Sequence, residues 1–314
     1  MAGIQVITSR EVPLGGPRAM TVRRTLPQRE RSLVGAWCFA DHYGPDDVAA
    51  TGGMDVPPHP HTGLQTVSWL FTGEIEHRDT SGVHALVRPG ELNLMTAGHG
   101  VAHSEVSTPA TTTLHGVQLW LALPDAARDV PRGFEHFAPE PVPLAGGTAR
   151  VFLGELAGAR SPVRTHSPLL GAELVLDPQA SMRLAVDPAF EHGVLVDTGA
   201  IELVGIAVDR AELGYAAAGA RELVLRNTGP EAARVMLLGG TPFEEPLVMW
   251  WNFVGRSHDE IVAFREAWER GSSRFGEVEG YAGRPLRLPA PALPHARIRP
   301  RMAPPGPGDR SAWG

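Results

Sequence analysis

Backbone punctuation constrains this chain more than any other feature: 36 glycines and 29 prolines interrupt 314 residues. Glycine weakens helix interiors and proline breaks them, so this density favours many turns and short strands over long helices. The apolar runs between the breakers fit that reading. In the first half, residues 4–7, 20–22, 33–39, 64–71, 83–87, 92–95 and 117–123 read as strands. Residues 64–71, the turn Thr72-Gly73 and residues 74–79 read as a hairpin. Prolines 124, 131, 139, 141 and 143 with Gly146-Gly147 mark an interdomain linker. A second strand series follows at 149–154, 172–176, 182–186, 193–196, 201–204, 222–225 and 235–238. Two strand-rich halves of similar length predict an all-β chain of two barrels or sandwiches, with no strong sequence repeat.

One helix is expected near the end. Ser257 and Glu260 form a capping box, Ile261, Phe264 and Trp268 share a face, and Gly271 is a stop. From Arg284 the chain is rich in Pro and Arg, which predicts an extended strap and a solvated, disordered tail from about residue 295. The expected domains are residues 1–130, 131–283 and the strap and tail 284–314.

Composition removes several chemistries. All 28 basic residues are arginine, which excludes a lysine Schiff base and a P-loop lysine. The single cysteine, Cys38, excludes an intrachain disulfide and a cysteine-rich zinc site, and reads as a small buried hydrophobe. A net charge of −7 without a long basic run argues against a nucleic-acid partner. No apolar stretch reaches membrane-span length, and the first residues lack a signal-peptide pattern. A cytoplasmic protein is expected. There is no G-x-G-x-x-G opening a helix and no G-x-S-x-G elbow.

The informative residues are His59-Pro-His61 and His103-Ser-Glu105. Residues two apart on a strand share a face, so each pair offers two ligand atoms in one direction. Facing each other across a barrel, the two strands would surround a point with three imidazoles and a carboxylate. This sulfur-free N3O set suits a divalent first-row ion, with positions left open for chemistry. Pro60 fits an edge strand. His42, His77 and His115 read as satisfied structural histidines, with a role as donors that orient the metal ligands as the alternative; His99 reads as a residue that could border the mouth of the site, and His166 and His192 as having no metal role. Trp250-Trp251-Asn252-Phe253 reads as a core cluster anchoring the helix, with a ligand-stacking role as the alternative.

Longer motifs carry a resemblance. Pro57-Pro-His-Pro-His-Thr-Gly-Leu-Gln-Thr-Val-Ser68, His77-Arg-Asp-Thr-Ser-Gly82, Met95-Thr-Ala-Gly-His-Gly-Val-Ala-His-Ser-Glu105, Gly116-Val-Gln-Leu-Trp120 and Gly239-Gly-Thr-Pro242 resemble the pirin family of the cupin superfamily. The resemblance covers about residues 5–294. It implies a bicupin: two antiparallel β-barrel (double-stranded β-helix) domains with one metal, usually iron as Fe(II), in the N-terminal barrel. It assigns His59, His61, His103 and Glu105 as the ligands. General cupins draw a carboxylate from the position held here by Gln65, which agrees with Glu105 taking that role.

The implied activity is quercetin 2,3-dioxygenase. A flavonol and O2 would be the substrates and Glu105 the base that takes the flavonol proton, and the resemblance favours a monomer. Two other readings stay open: a metal-binding regulatory module on which a protein partner docks, without turnover, and a cupin oxygenase of a different small molecule.

Overall fold

The computed structural model describes residues 3–14 and 20–301. Two seven-stranded and two four-stranded antiparallel sheets carry the fold. The first seven-stranded sheet runs Gly133–Phe137, Leu92–Thr96, Leu64–Thr72, Thr113–Ala122, Trp37–Asp47, Thr21–Leu26, Arg10–Pro13. It faces a four-stranded sheet in the order Asp55–His61, Val101–Ser107, Ile75–Asp79, His84–Val87.

The second half repeats this plan. Its larger sheet runs Gln5–Ile7, Leu213–Ala216, Glu191–Thr198, Ala233–Gly240, Leu169–Leu176, Gly147–Leu153, Val142–Leu144. Its smaller sheet runs Ser181–Ala185, Glu222–Asn227, Ile201–Leu203, Ile206–Val208. Apart from the first strand of each large sheet, the two orders match position for position. The expected double-barrel, all-β architecture is therefore present.

Sheet membership crosses the expected boundary at residue 130 twice. Gly133–Phe137 pairs with Leu92–Thr96 and ends the first large sheet, although it lies in the Pro-rich linker. Gln5–Ile7 pairs with Leu213–Ala216 and ends the second large sheet, although it opens the chain. Each large sheet thus ends in a strand from outside its own series, which pairs the edge of Leu92–Thr96 in the first and of Leu213–Ala216 in the second.

Burial explains the sequence pattern. Strand Leu64–Thr72 is buried on both faces over its first seven residues, so polar Gln65, Thr66 and Ser68 are buried along with its apolar residues. Thr66, Ser68 and Leu70 face the first barrel, while Val67 and Trp69 join a core between the two large sheets. Across that core Trp69 Nε1 donates to Glu173 Oε2 at 2.7 Å and Trp37 Nε1 to the Gly239 carbonyl at 3.1 Å. Cys38 is buried there as expected, and burial pushes its thiol up to about 12. Strand Ser181–Ala185 has solvent on one face and shows the alternation of a half-buried strand.

The helix spans His258–Glu269, with the Ser257 side chain accepting from Glu260 N–H. Gly271 follows at φ +67° and donates to the Trp268 carbonyl at 2.9 Å. Ile261 and Trp268 pack with Phe253, Phe275 and Ala102. Ala102 precedes His103, so the helix braces the back of that strand. No helix among the described residues is long and apolar enough to cross a membrane.

The expected disorder from residue 295 does not begin there. Ile298 N–H donates to His258 Nδ1 at 3.1 Å, and Arg301 pairs with Leu247. Packing against the helix supplies contacts that composition does not reveal. The remainder of the expected tail, residues 302–314, lies outside the described residues.

Candidate metal centre

The two histidine motifs are neighbours in one sheet, not strands opposed across the barrel. Asp55–His61 pairs with Val101–Ser107, placing His59 beside His103 and His61 beside Val101. Between the His103–His59 and Glu105–Val56 pairs the register slips by one residue, at Pro57-Pro58. Neither proline has an N–H to give the ladder. Asp55–His61 is the sheet's edge strand, as Pro60 predicted. Gly63 turns the chain at φ +66°, where a Cβ would lie 2.4 Å from the Val254 carbonyl oxygen.

His59, His61 and His103 converge, with ring centroids 4.3 to 5.0 Å apart. Their hydrogen bonds determine the tautomers. His59 Nδ1 donates to the Pro57 carbonyl at 2.9 Å, and His61 Nδ1 to the Asn252 carbonyl at 3.2 Å. His77 Nε2 donates to Asp79 Oδ2 at 3.2 Å, so its Nδ1 accepts. His103 Nδ1, 3.3 Å away, is then the donor to it.

With each Nδ1 protonated, every Nε2 of the trio carries a lone pair into the barrel. Burial disfavours the imidazolium form, holding His59 down at about 4 and His61 and His103 well below the usual histidine range. The Nε2 atoms of His61 and His103 therefore face each other at 3.0 Å as two acceptors. Such an arrangement calls for a cation between them, and the donor chemistry fits a metal ion.

Glu105 lies on the same face as His103. Its carboxylate and ring nitrogens of His77 and His103 lie within 4.8 Å of one another. It stands outside the tight cluster of His59, His61 and His103. Ser68 Oγ lies 3.3 Å from Glu105 Oε1 and 3.0 Å from Gln118 Oε1. Burial raises the Glu105 carboxyl; the His77 ring and the Ser68 hydroxyl oppose it.

His59, His61, His103, Glu105 and Gln118 line a cavity of about 440 Å³. Phe39 and Trp120 stack on its wall with centroids 4.0 Å apart and planes 11° apart. Trp120 meets His61 edge-on at 5.2 Å. The Arg24 guanidinium lies 4.3 Å over Phe39 and bonds both oxygens of Asp41 at 2.6 and 2.7 Å.

Trp251 and Asn252, read from sequence as part of a helix anchor, also line this cavity. Asn252 orients His61 through its backbone carbonyl, a group that leaves no side-chain signal. His77 orients His103, the alternative to a purely structural role. His99 is absent from the cavity wall.

His42 and His115 form a second buried cluster, with their Nε2 atoms 2.7 and 2.6 Å from Asp197 Oδ1. Arg23 Nε donates to His42 Nδ1 at 3.2 Å, so His42 Nε2 carries a proton and donates to the carboxylate. Arg234 Nη1 reaches Asp197 Oδ2 at 3.1 Å. This cluster ties the halves together by hydrogen bonds. The second barrel differs in its lining. Met182, Leu184, Leu223 and Leu225 occupy the strands equivalent to those bearing the first barrel's histidines. His192 is buried there with neither ring nitrogen bonded to another described residue.

Two linked barrels with a polyhistidine cluster in one of them define a bicupin. Residues 19–121 match the Pirin family model and residues 171–276 match the Pirin C-terminal cupin domain model. The chain belongs to the pirin family. It is 44% identical over 292 residues to a Pseudomonas aeruginosa protein provisionally named quercetin 2,3-dioxygenase, covering 93% of this chain and 91% of that one. A crystal structure of quercetin 2,3-dioxygenase from Acinetobacter baumannii superposes with a TM-score of 0.89 at 38% identity, over 95% of this chain and 97% of that one. The Escherichia coli pirin YhhW, solved in complex with nickel(II), shares the fold at 17% identity and a TM-score of 0.59, over 77% of this chain and 100% of its own.

Proposed function

We propose that this protein is a metal-dependent quercetin 2,3-dioxygenase that cleaves a flavonol with O2. His59, His61, His103 and Glu105 are its metal ligands, and the ion is one divalent first-row metal, iron(II) by family resemblance. The observation that carries this reading is the convergence of ring nitrogens of His59, His61 and His103, with the Nε2 atoms of His61 and His103 facing each other as acceptors, beside an aromatic wall. The similarity to quercetin 2,3-dioxygenases supports the substrate class.

A bound ion would supply Lewis-acid and redox chemistry toward a substrate hydroxyl and O2. The chain's own residues do the rest. Glu105 takes the proton of the flavonol 3-hydroxyl, a role suited to a carboxylate whose burial favours the protonated form. The Ser68 hydroxyl steadies the ionised carboxylate between turnovers. Trp120, stacked on Phe39, supplies aromatic surface to the cavity wall, and the enclosing apolar side chains limit water around the reacting atoms.

Elemental analysis of the purified protein, followed by oxygen uptake with quercetin, tests the reading. Near-stoichiometric metal with quercetin-dependent uptake and carbon monoxide release is expected. Metal without uptake would sink the flavonol assignment. Failure to bind any metal after anaerobic reconstitution with Fe(II) would sink the site itself.

A further inference from the structure

The cavity beside the histidine cluster is walled in part by chain outside both family-model matches. Those matches end at residues 121 and 276, whereas Leu288 and Pro291 line the cavity. The stretch that carries them is held at nearly every residue. Leu288 N–H donates to the Pro58 carbonyl at 2.8 Å, the residue just before His59. The Leu288 carbonyl accepts from Trp268 Nε1 at 2.8 Å. Ala290 N–H donates to Glu269 Oε1 at 2.8 Å, and Arg265 Nε donates to the Pro291 carbonyl at 2.7 Å.

The Arg287 guanidinium bonds the Trp268 carbonyl and lies 4.1 Å over its ring. Pro289 and Pro291 lock their own φ angles. Residues 287–291 are thus fastened to the helix on one side and to the edge strand of the metal centre on the other. A segment pinned in this way acts as a wall.

We propose that residues 287–291 are the specificity element of this site. Leu288 and Pro291 set the upper size limit of a planar aromatic substrate that packs against Trp120 on the cavity wall. The cavity of about 440 Å³ lies toward the small end of ligand sites, which span roughly 300–1,000 Å³, so a change of one lining side chain alters the room left for a substrate. The proposal rests on the flavonol reading for its substrate class only.

The test is equilibrium binding to the full-length, metal-free protein, read by quenching of tryptophan fluorescence. The probes are quercetin and its bulkier 3-O-glucoside. A methylene-scale change in an apolar pocket shifts discrimination by about tenfold or more. The wild-type protein should prefer quercetin by at least about that factor. Leu288→Ala should narrow the preference about tenfold by admitting the glucoside. Leu288→Trp should weaken quercetin about tenfold while circular dichroism and nickel uptake stay at wild-type values.

A wild type that binds both probes equally, or binds neither, overturns the proposal. So does a preference left unchanged by Leu288→Ala. Size-selective quercetin binding without oxygen uptake by the iron-loaded protein would uphold the wall and reject the dioxygenase reading.

Discussion

His77 is the sharpest point at which to perturb the metal centre, because it touches the trio without belonging to it. His77→Phe preserves a flat ring beside Phe134, now 5.0 Å from the imidazole, and beside His103. It removes both hydrogen bonds of the Asp79–His77–His103 chain. Asp79 keeps two backbone donors on Oδ1, Ser81 N–H at 2.7 Å and Val83 N–H at 3.3 Å, and loses only the bond to Oδ2. His103 Nδ1–H loses its acceptor inside a site with no solvent exposure. An unmatched buried donor costs about 1–3 kcal/mol. The ring can avoid that cost only by turning or by moving its proton to Nε2, and both withdraw the lone pair from the centre.

At about 1.4 kcal/mol per decade, metal affinity should fall roughly 10- to 100-fold. The assay is chelator competition for Ni(II) at pH 7.5, with Asp79→Asn in parallel; that substitution should give a smaller loss in the same direction. An affinity for His77→Phe within about twofold of wild type would refute the tautomer argument, because His103 would then need no partner to aim Nε2.

Three further outcomes are expected. Glu105→Gln should retain metal within about tenfold but lose 10²–10⁴ in turnover, the usual contribution of a general base; wild-type oxygen uptake would contradict that role. In the metal-free protein, the folded state holds His59 at about 4 while the unfolded chain titrates near 6.5, so the unfolded state binds more protons between those values. Stability should therefore fall as pH drops from about 6.5 to 4, by roughly 3 kcal/mol for His59 alone, and urea titrations at several pH values would expose a flat profile if this is wrong. Asp197→Ala should lower unfolding free energy by about 3–5 kcal/mol at pH 7, since it strands His42, His115 and Arg234 at the junction of the halves; a loss below about 1 kcal/mol in denaturant melts would mean that the clamp is not needed.

Parts of this molecule were legible before any coordinates. Strand Ser181–Ala185 in the second barrel's small sheet alternates because one face meets solvent. Ser257 and Glu260 announced the helix start because capping is a contact between near neighbours. The convergence of His59, His61 and His103 was likewise anticipated from residues two apart on strands. Other features had no such signal. His77 aims His103 because Ile75–Asp79 pairs with Val101–Ser107, and nothing local to His77 distinguishes that role from an ordinary buried histidine. The linker proline run concealed the strand Gly133–Phe137, whose pairing is decided by the open edge it covers.

The chain by itself determined the kinds of donor available, their two-residue period, the strand-rich class and the absence of lysine chemistry. These depend on side-chain identity and short-range geometry, which a linear order of residues carries directly. Tertiary structure alone decided that the two histidine motifs lie side by side and that a backbone carbonyl at Asn252 aims His61. It also set Leu288 against the cavity and filled the second barrel's equivalent strands with Met182, Leu184, Leu223 and Leu225. Each of these is an adjacency between segments far apart in the chain. Long-range packing chooses such adjacencies by burying apolar surface and satisfying backbone polar groups across the whole molecule at once.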